Sequence, residues 1–238
     1  MPRIFNSVRQ QLLKESRFKR YLVYAVGEVV LVVIGILIAL QINTWNEQRK
    51  QKEELSAIYE IIITDLEKDI AEVSRFIEHY EKERKPTFDT LIHTAPTKEQ
   101  WDANPLYRLV FNGYEDIAIN TRGYELFKGL STSIMLEDEL TSDLADFYND
   151  HLIEIDIAQK ELAGDFTDNN RQFKKFDWSI GFLLGDSDGL FTYVTTDPDA
   201  KRRIASFADY YWVYILELKR FKKDAELLSK EVRAHLEE

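Results

Sequence analysis

An uninterrupted apolar run, YLVYAVGEVVLVVIGILIALQI, occupies residues 21–42 and constrains the fold more than any other feature of the sequence. Four of its residues are not apolar: Gly27, Glu28, Gly35 and Gln41. As an α-helix, the run would rise about 1.5 Å per residue and extend roughly 33 Å, which is enough to cross the hydrocarbon core of a bilayer. The run therefore predicts a single transmembrane helix.

Glu28 is the residue in this run that opposes insertion into a membrane. The run contains fourteen Leu, Ile and Val residues. Each contributes about −0.3 to −0.6 kcal/mol to insertion, a total of roughly −4 to −8 kcal/mol. A charge at the centre of the helix costs about 2.5 to 3.5 kcal/mol. Insertion is therefore expected to be favourable even if Glu28 is ionised.

A cleaved signal peptide is the other explanation for an apolar run in this position. Its apolar region would be about 7–15 residues long and would end in a small-x-small cleavage site. This run is longer, and it ends in Leu40-Gln41-Ile42-Asn43, which is not such a site. We therefore expect an uncleaved anchor.

The charges on the two sides of the run differ. Residues 1–20 contain six basic side chains, whereas the twenty residues after the run contain three. The positive-inside rule then places residues 1–20 in the cytoplasm and residues 43–238 in the periplasm, with the helix in the cytoplasmic (inner) membrane. Basic and aromatic side chains are expected at the membrane interfaces, namely Arg17, Lys19, Arg20, Tyr21, Tyr24 and Trp45.

The N-terminal arm, residues 1–20, has an amphipathic pattern of its own. Within residues 3–14, one helical face carries Ile4, Phe5, Val8 and Leu12, and the other carries Arg3, Arg9 and Lys14. This pattern suits a helix that lies in the inner interface against anionic headgroups. A flexible basic arm that only sets the topology is the alternative.

The run and the residues around it resemble a known family. The similarity is carried by YAVGE at residues 24–28 and LVVIGILIALQINTWNE at residues 31–47, and less closely by Gly123-Tyr124-Glu125-Leu126 and Asp146-Phe147-Tyr148. These stretches resemble a family of single-pass membrane proteins from Bacteroidota that is classed only as a domain of unknown function. Lys128-Gly129-Leu130-Ser131 departs from the Ser-Gly turn of that family. The resemblance implies a membrane anchor and a helical domain, and it assigns no catalytic residue.

The spacing of apolar residues after the run predicts three long helices. Apolar residues recur every three or four positions from residue 55 to 80, from 137 to 176, and from Pro198 nearly to Glu238. Asp197 can cap the last helix, and Pro198 suits its first turn. The expected buried stripes are Leu55, Tyr59, Ile62, Leu66, Val73, Ile77 and Tyr80; Leu140, Leu144, Phe147, His151, Ile155, Ala158, Leu162 and Phe166; and Ile204, Phe207, Tyr211, Leu218, Phe221, Ala225, Leu228 and Val232.

The remaining stretches read as shorter elements. Residues 86–136 contain several Pro and Gly residues and are expected to form short helices and turns. Residues 178–195 are expected to form a small hairpin or two loop pieces. We predict an all-α protein in which the transmembrane helix continues into an elongated antiparallel helical bundle. Its regions are a cytoplasmic arm at 1–20, the transmembrane helix at 21–42 and the outer domain at 43–238.

Glu28 is also the most specific candidate for a functional residue. On a helix it shares a face with Val32, Gly35 and Ala39, and Gly27 lies beside it. Small residues allow a second helix to approach, and a protonated carboxyl group can hydrogen-bond across the contact. These five residues are therefore candidates for helix packing. Two alternatives remain: an acid satisfied by Tyr24 or by headgroups, and a carboxylate that couples to ions.

Outside the membrane segment, the candidates are fewer. In the run Tyr210-Tyr211-Trp212-Val213-Tyr214, the three tyrosines can share the core while Trp212 points elsewhere, so Trp212 is a candidate partner contact or a second packing position. Asp186-Ser187-Asp188-Gly189 lacks the further ligands of a calcium loop and is expected to be a turn.

Several classes of function are unsupported by the sequence. The chain has no cysteine, so a thiolate zinc site and a cysteine nucleophile are excluded. The four histidines show no paired metal spacing, and no phosphate loop, G-x-S-x-G or glycosidase signature occurs. We therefore predict no enzyme, no catalytic residue, no cofactor and no metal. Residues 43–238 contain 25 basic and 40 acidic residues, so nucleic acid is not an expected partner.

These observations favour a non-enzymatic membrane protein whose partners are the bilayer and either further copies of itself or other envelope proteins. The leading hypothesis is an envelope interaction or scaffold protein. A sensor or ligand-binding bundle is one alternative, and an accessory subunit of an ion-coupled complex that uses Glu28 is another. A polar cavity in the bundle would favour the sensor, whereas a filled core with exposed apolar residues would favour assembly.

Overall fold

A computed structural model of the chain describes residues 18–109, 113–130 and 140–237, with side chains from residue 21 onward. These residues form helices and irregular segments, with no strand among them. The all-α prediction is therefore confirmed. The chain divides into two compact units, Met1–Leu55 and Ser56–Glu238. The predicted amphipathic arm and Arg17 lie outside the described residues, as do the side chains of Lys19 and Arg20.

The first unit consists, in its described part, of the beginning of helix α1, Phe18–His79. No Pro interrupts the sequence of this helix, and it continues without a break past residue 42. The large apolar side chains between Leu22 and Ile42 are 47–71 % exposed within the chain. Among the described helices, this one is long and apolar enough to cross a membrane.

The second unit contains the rest of α1 and a series of further helices. After α1, a π-helical turn spans Tyr80–Arg84. It is followed by α2 (Lys85–His93), α3 (Lys98–Ala103), α4 (Leu106–Leu109), α5 (Arg122–Lys128), α6 (Leu140–Phe173), α7 (Trp178–Leu183), α8 (Asp188–Thr196) and α9 (Pro198–Glu237). Asp197 accepts a hydrogen bond from the backbone N–H of Asp199 at 2.8 Å, so the predicted cap and start of the last helix are confirmed.

The three long helices of this unit pack through the predicted stripes. All eight predicted positions of α9 are buried, and so are most of those of α1 and α6. Ile77 and Phe166 are the exceptions, because both are only half-buried. Phe166 instead contacts Tyr114, whose ring centroid lies 5.1 Å away, at the edge of the core.

Contacts along the helices define their directions. Arg203 of α9 bonds Asp168 of α6 at 2.8 Å, and Asp224 bonds His151 at 3.1 Å. Since the numbers rise on one helix as they fall on the other, α6 and α9 are antiparallel. Lys219 of α9 bonds Glu81 in the π-helical turn after α1, and Arg233 of α9 bonds Glu67 of α1, so α1 and α9 are antiparallel too. It follows that α1 and α6 run in the same direction, and the chain between them must return along the bundle.

The hairpin that was one expectation for residues 178–195 is wrong, because this stretch forms α7 and α8. Gly185 has a φ of 94°, which ends α7 at little steric cost. The Asp186 N–H donates to Gly181 O at 2.9 Å, and the Gly185 N–H donates to Phe182 O at 3.1 Å, the pattern of a glycine-capped helix end. In α8, Leu190, Tyr193 and Val194 are buried at helical spacing, so packing selects a helix.

Candidate functional site: a clasped extended segment

The return path between α1 and α6 includes an irregular segment, residues 113–121, which we call the extended segment. It starts beside Arg84, which lies in the π-helical turn that follows α1. It is followed by Gly123, which lies beside Asp65 of α1. Ten extended residues reach about 33 Å, and the nineteen helical residues from 65 to 84 rise about 29 Å. The segment is therefore nearly fully extended, and it runs antiparallel to α1 and its adjoining turn over residues 65–84.

A segment without regular structure must find other partners for its backbone groups. In this protein they are side chains from all three long helices. The Tyr211 hydroxyl accepts a hydrogen bond from the Glu115 N–H, and the Tyr214 hydroxyl accepts one from the Ile117 N–H at 2.9 Å. Two tyrosines one turn apart on α9 thus replace the acceptors that a neighbouring strand would supply.

Gln159 of α6 and Arg84 complete the bonds at this end of the segment. Gln159 Nε2 donates to Ile117 O at 2.8 Å and to the Tyr214 hydroxyl at 3.1 Å. Arg84 Nη1 donates to Gly113 O, and the guanidinium lies over the Tyr211 ring at 5.4 Å from its centroid. Both backbone groups of Ile117 are therefore hydrogen-bonded, the amide to α9 and the carbonyl to α6.

Two buried carboxylates hold the far end of the segment. Asp65 and Asp69 lie one turn apart on α1, and their residues are 5 % and 0 % exposed. Asp69 accepts bonds from the Asn120 N–H at 3.1 Å and from the Asn120 side-chain amide. Asp65 accepts a bond from the Gly123 N–H at 3.0 Å. Asp65 therefore supplies an acceptor for an amide in the first turn of α5 that has no partner within its own helix. We call Asp65, Asp69, Gln159, Tyr211 and Tyr214 the clasp.

The electrostatics of the clasp centre on Asp69. Burial disfavours the charged carboxylate and raises the pKa of Asp69 from 3.8 to about 6. The two hydrogen bonds from Asn120 act in the opposite direction, and the nearby Asp65 and Glu72 raise this pKa further. Asp69 is therefore a buried acid that titrates near neutral pH.

Gly123 is fixed by the close approach of α5 to α1. A Cβ atom placed on Gly123 would lie 2.7 Å from Ile62 Cγ1 and 2.9 Å from the Ile62 backbone nitrogen. Since the backbone of a helix cannot give way, the position admits only glycine. Gly123 belongs to the Gly123-Tyr124-Glu125-Leu126 stretch that contributed to the family resemblance, and the contact gives that stretch a physical role.

Aromatic packing closes the site on the side of α6. The rings of Tyr124 and Tyr148 stack with centroids 4.4 Å apart, and the Tyr124 hydroxyl donates to Asn149 Oδ1 at 3.1 Å. Burial raises the pKa of Tyr148, with a further contribution from the charges of Asp69 and Asp65. The buried Tyr148 hydroxyl has no hydrogen-bond partner among the described residues.

The chemistry available at the clasp is proton binding and chain fixation. The described residues contain no group of three or more His, Asp or Glu side chains placed to hold a metal ion. A cavity near the clasp, lined by Arg84, Thr87, Phe88, Leu106 and Leu109, has a volume of about 10 Å³. That volume is enough for about one water molecule. This part of the core is therefore filled.

The residues that were predicted to pack against a second helix all lie on α1. Gly27, Val32, Gly35 and Ala39 lie on α1 with Glu28, which is half-exposed. A Cβ atom placed on Gly27 or Gly35 would meet nothing within 4 Å. Packing of a second helix on this face stays a prediction.

The aromatic candidates are mostly exposed. Tyr24 and Trp45 are exposed, whereas Tyr21 is half-buried. Arg49 lies over the Trp45 ring, 5.9 Å from its centroid. Trp212 points away from the core and is 47 % exposed, while Tyr211 and Tyr214 are buried as expected. Tyr210 is only half-buried.

Sequence reasoning missed the clasp. Asp65 and Asp69 lie on either side of Leu66, and Asp69 falls in the gap of the apolar stripe of α1 between Leu66 and Val73, which was the available signal. A charged pair at helical spacing is usually a solvated face. The burial of Asp65 and Asp69 follows only from the positions of Asn120 and Gly123, which donate hydrogen bonds to them.

Comparison with known proteins gives one match. The sequence model of a family of unknown function (DUF6090) matches residues 28–98. The matched part includes most of the apolar run, Asp65, Asp69 and Arg84, and it ends before the extended segment. No curated protein and no solved structure matches the chain significantly.

Proposed function

We propose that the chain is a single-pass protein of a bacterial cytoplasmic membrane and that its second unit binds envelope proteins, including further copies of itself. The observation that carries this proposal is the apolar surface of residues 21–42, whose large side chains are 47–71 % exposed within the chain. Exposed apolar surface of this extent is costly in water and favourable in lipid. The resemblance to single-pass proteins of Bacteroidota supports the same assignment.

The small cavity beside Arg84 and the apolar side chains exposed on the second unit favour binding of proteins over sensing of a small ligand. Sites for small ligands have volumes of roughly 300–1,000 Å³. The cavity beside Arg84 has a volume of about 10 Å³. The second unit also exposes apolar side chains on its long helices, among them Ile153, Ile157 and Trp212. Exposed apolar residues without a polar cavity are the features expected of an assembly protein, so they support an interaction or scaffold role.

Membrane insertion and orientation can be tested with a reporter. An enzyme that is active only in the periplasm would be fused after Glu238. We expect activity from the full chain and loss of activity when residues 21–42 are deleted. A full-length fusion that is present in the membrane but inactive would overturn the proposed topology, because the second unit would then lie on the cytoplasmic side.

Assembly through the transmembrane face can be tested by crosslinking in native membranes. The variants are Glu28→Gln and Glu28→Leu, and Val30→Leu is the control because it lies about 200° around the helix from Glu28. We expect the Glu28 variants to lose crosslinked partners that the control keeps. If both Glu28 variants recover every partner, the assembly role of this face is excluded. Loss of proton- or ion-dependent activity from a complex that stays intact would instead favour ion coupling.

A further inference from the structure

The outward side of α9 combines apolar and basic residues. Trp212, Leu216, Arg220, Lys223 and Leu227 follow one another at spacings of three or four and therefore share one side of the helix, which we call the α9 face. Trp212 and Leu227 are 47 % and 49 % exposed. Lys223 forms no ion pair with any described residue, and exposed Arg220 pairs only with its half-buried helical neighbour Glu217. The face is apolar and positively charged in a chain of net charge −11.

The outward side of α6 has the opposite charge. Asp146, Asp150, Ile153 and Ile157 share one side of this helix, which we call the α6 face. Ile153 and Ile157 are 58 % and 51 % exposed. Neither Asp146 nor Asp150 forms an ion pair within the described chain. Two isoleucines beside unpaired acids thus match, in chemistry, the apolar and basic residues of the α9 face.

The two faces also match in position along the bundle. The Gln159–Tyr214 bond puts Ile157 near the level of Leu216. The His151–Asp224 bond puts Asp150 near the level of Lys223. A two-fold axis parallel to the helices keeps each residue at its own level. It would therefore set Asp150 of one copy opposite Lys223 of the other, and Ile157 opposite Leu216.

We propose that two copies of this chain pair through these surfaces, with the α6 face of each copy on the α9 face of the other. The inference deepens the proposed role in assembly by naming its surface and its partner. An isologous contact of this kind repeats every interaction twice. Charge complementarity is needed for it, since two chains that each carry a net charge of −11 otherwise repel.

Charge reversal tests the pairing in the full chain. One protein carries Arg220→Glu and Lys223→Glu, and the other carries Asp146→Lys and Asp150→Lys. The oligomeric state of each is measured in nanodiscs or mild detergent at low salt by sedimentation velocity, and circular dichroism checks folding. We expect the parent to be dimeric and each variant alone to pair at least tenfold more weakly, because like charges then face each other.

Mixing the two variants provides the decisive result. In the mixture, each contact joins opposite charges again, so we expect a heterodimer of nearly the parent's affinity. Lys174→Glu with Lys175→Glu is the control, since it makes the same change in net charge at exposed positions away from both faces. We expect this control to pair like the parent.

Three outcomes would overturn the pairing. They are a monomeric parent, variants that dimerise as well as the parent (as contacts through the transmembrane helix alone would produce), and a mixture that stays unpaired. The reporter fusion, made on the same proteins, separates this failure from failure of the proposed function. A monomer with an active reporter overturns the pairing and leaves the proposed topology, whereas a membrane-bound fusion with an inactive reporter overturns the topology whatever the oligomeric state.

Discussion

Asp69 accepts hydrogen bonds from both the backbone N–H and the side-chain amide of Asn120, a residue 51 positions further along the chain. Asp69 is 0 % exposed, so these bonds are made out of contact with water. A buried carboxylate is costly unless it is paired or hydrogen-bonded. The contact therefore couples the path of the extended segment to the protonation of one acid on α1.

Removing the Asp69 carboxylate should destabilise the second unit. Asp69→Ala leaves the Asn120 N–H and amide without their acceptor, and an unsatisfied buried donor costs about 1–3 kcal/mol. Urea unfolding monitored by circular dichroism measures the change. Lys68→Ala is the control, because Lys68 is exposed on the same helix and should change stability by less than about 0.5 kcal/mol. Equal effects of the two substitutions would contradict the role of Asp69.

The stability of the protein should depend on the protonation of Asp69. Its pKa is raised from 3.8 to about 6, so the folded state binds this proton more tightly than the unfolded state does. The resulting stabilisation is fully present below pH 3.8 and is lost as the pH rises through about 6. A rise in this pKa from 3.8 to about 6 corresponds to about 3 kcal/mol.

The pH effect of Asp69 can be isolated with Asp69→Asn, which has a similar shape and no charge. We expect the parent to lose stability relative to Asp69→Asn between pH 4 and pH 7, by an amount of the order of 3 kcal/mol. Urea midpoints at intervals of half a pH unit give the difference. Curves that stay parallel over this range would show that Asp69 titrates normally.

Gly123→Ala should destabilise the protein, because the added Cβ would lie 2.7 Å from Ile62 Cγ1 and 2.9 Å from the Ile62 nitrogen. Overpacking of this kind costs about 1–3 kcal/mol. Gly164→Ala is the matched control, since nothing lies within 4 Å of a Cβ at this position of α6. A helical alanine there should stabilise by about 0.5–1 kcal/mol. Thermal unfolding should therefore move in opposite directions for the two variants.

The hydroxyl groups of Tyr214, in the clasp, and of Tyr148, beside it, should contribute differently to the free energy of unfolding. Tyr214→Phe removes the acceptor of the Ile117 N–H and a partner of Gln159, so we expect a loss of about 1–3 kcal/mol. Tyr148→Phe removes a hydroxyl with no partner among the described residues, so it should be neutral or slightly stabilising. Chemical denaturation of both variants tests the contrast, and a larger loss for Tyr148→Phe would reverse our interpretation of the site.

The long elements of this protein were predictable from local patterns. The apolar run of residues 21–42, the periodic stripes of α6 and α9, and the Asp197-Pro198 start of α9 were all visible in the sequence. Each of these signals comes from residues within a few turns of one another, because helix formation and capping depend on near neighbours. Trp212 was separated from Tyr211 and Tyr214 for the same reason, since a helix turns about 100° per residue.

Tertiary structure decided the features that depend on distant partners. Residues 178–195 form two helices because Leu190, Tyr193 and Val194 have a core to pack into, whereas their local sequence also allows a hairpin. The extended segment has no periodic pattern, and its path is set by side chains of α1, α6 and α9. Asp65 and Asp69 look like a solvated pair in the sequence. They are buried because the amides of Asn120 and Gly123, more than 50 positions away, replace the water that a carboxylate otherwise needs.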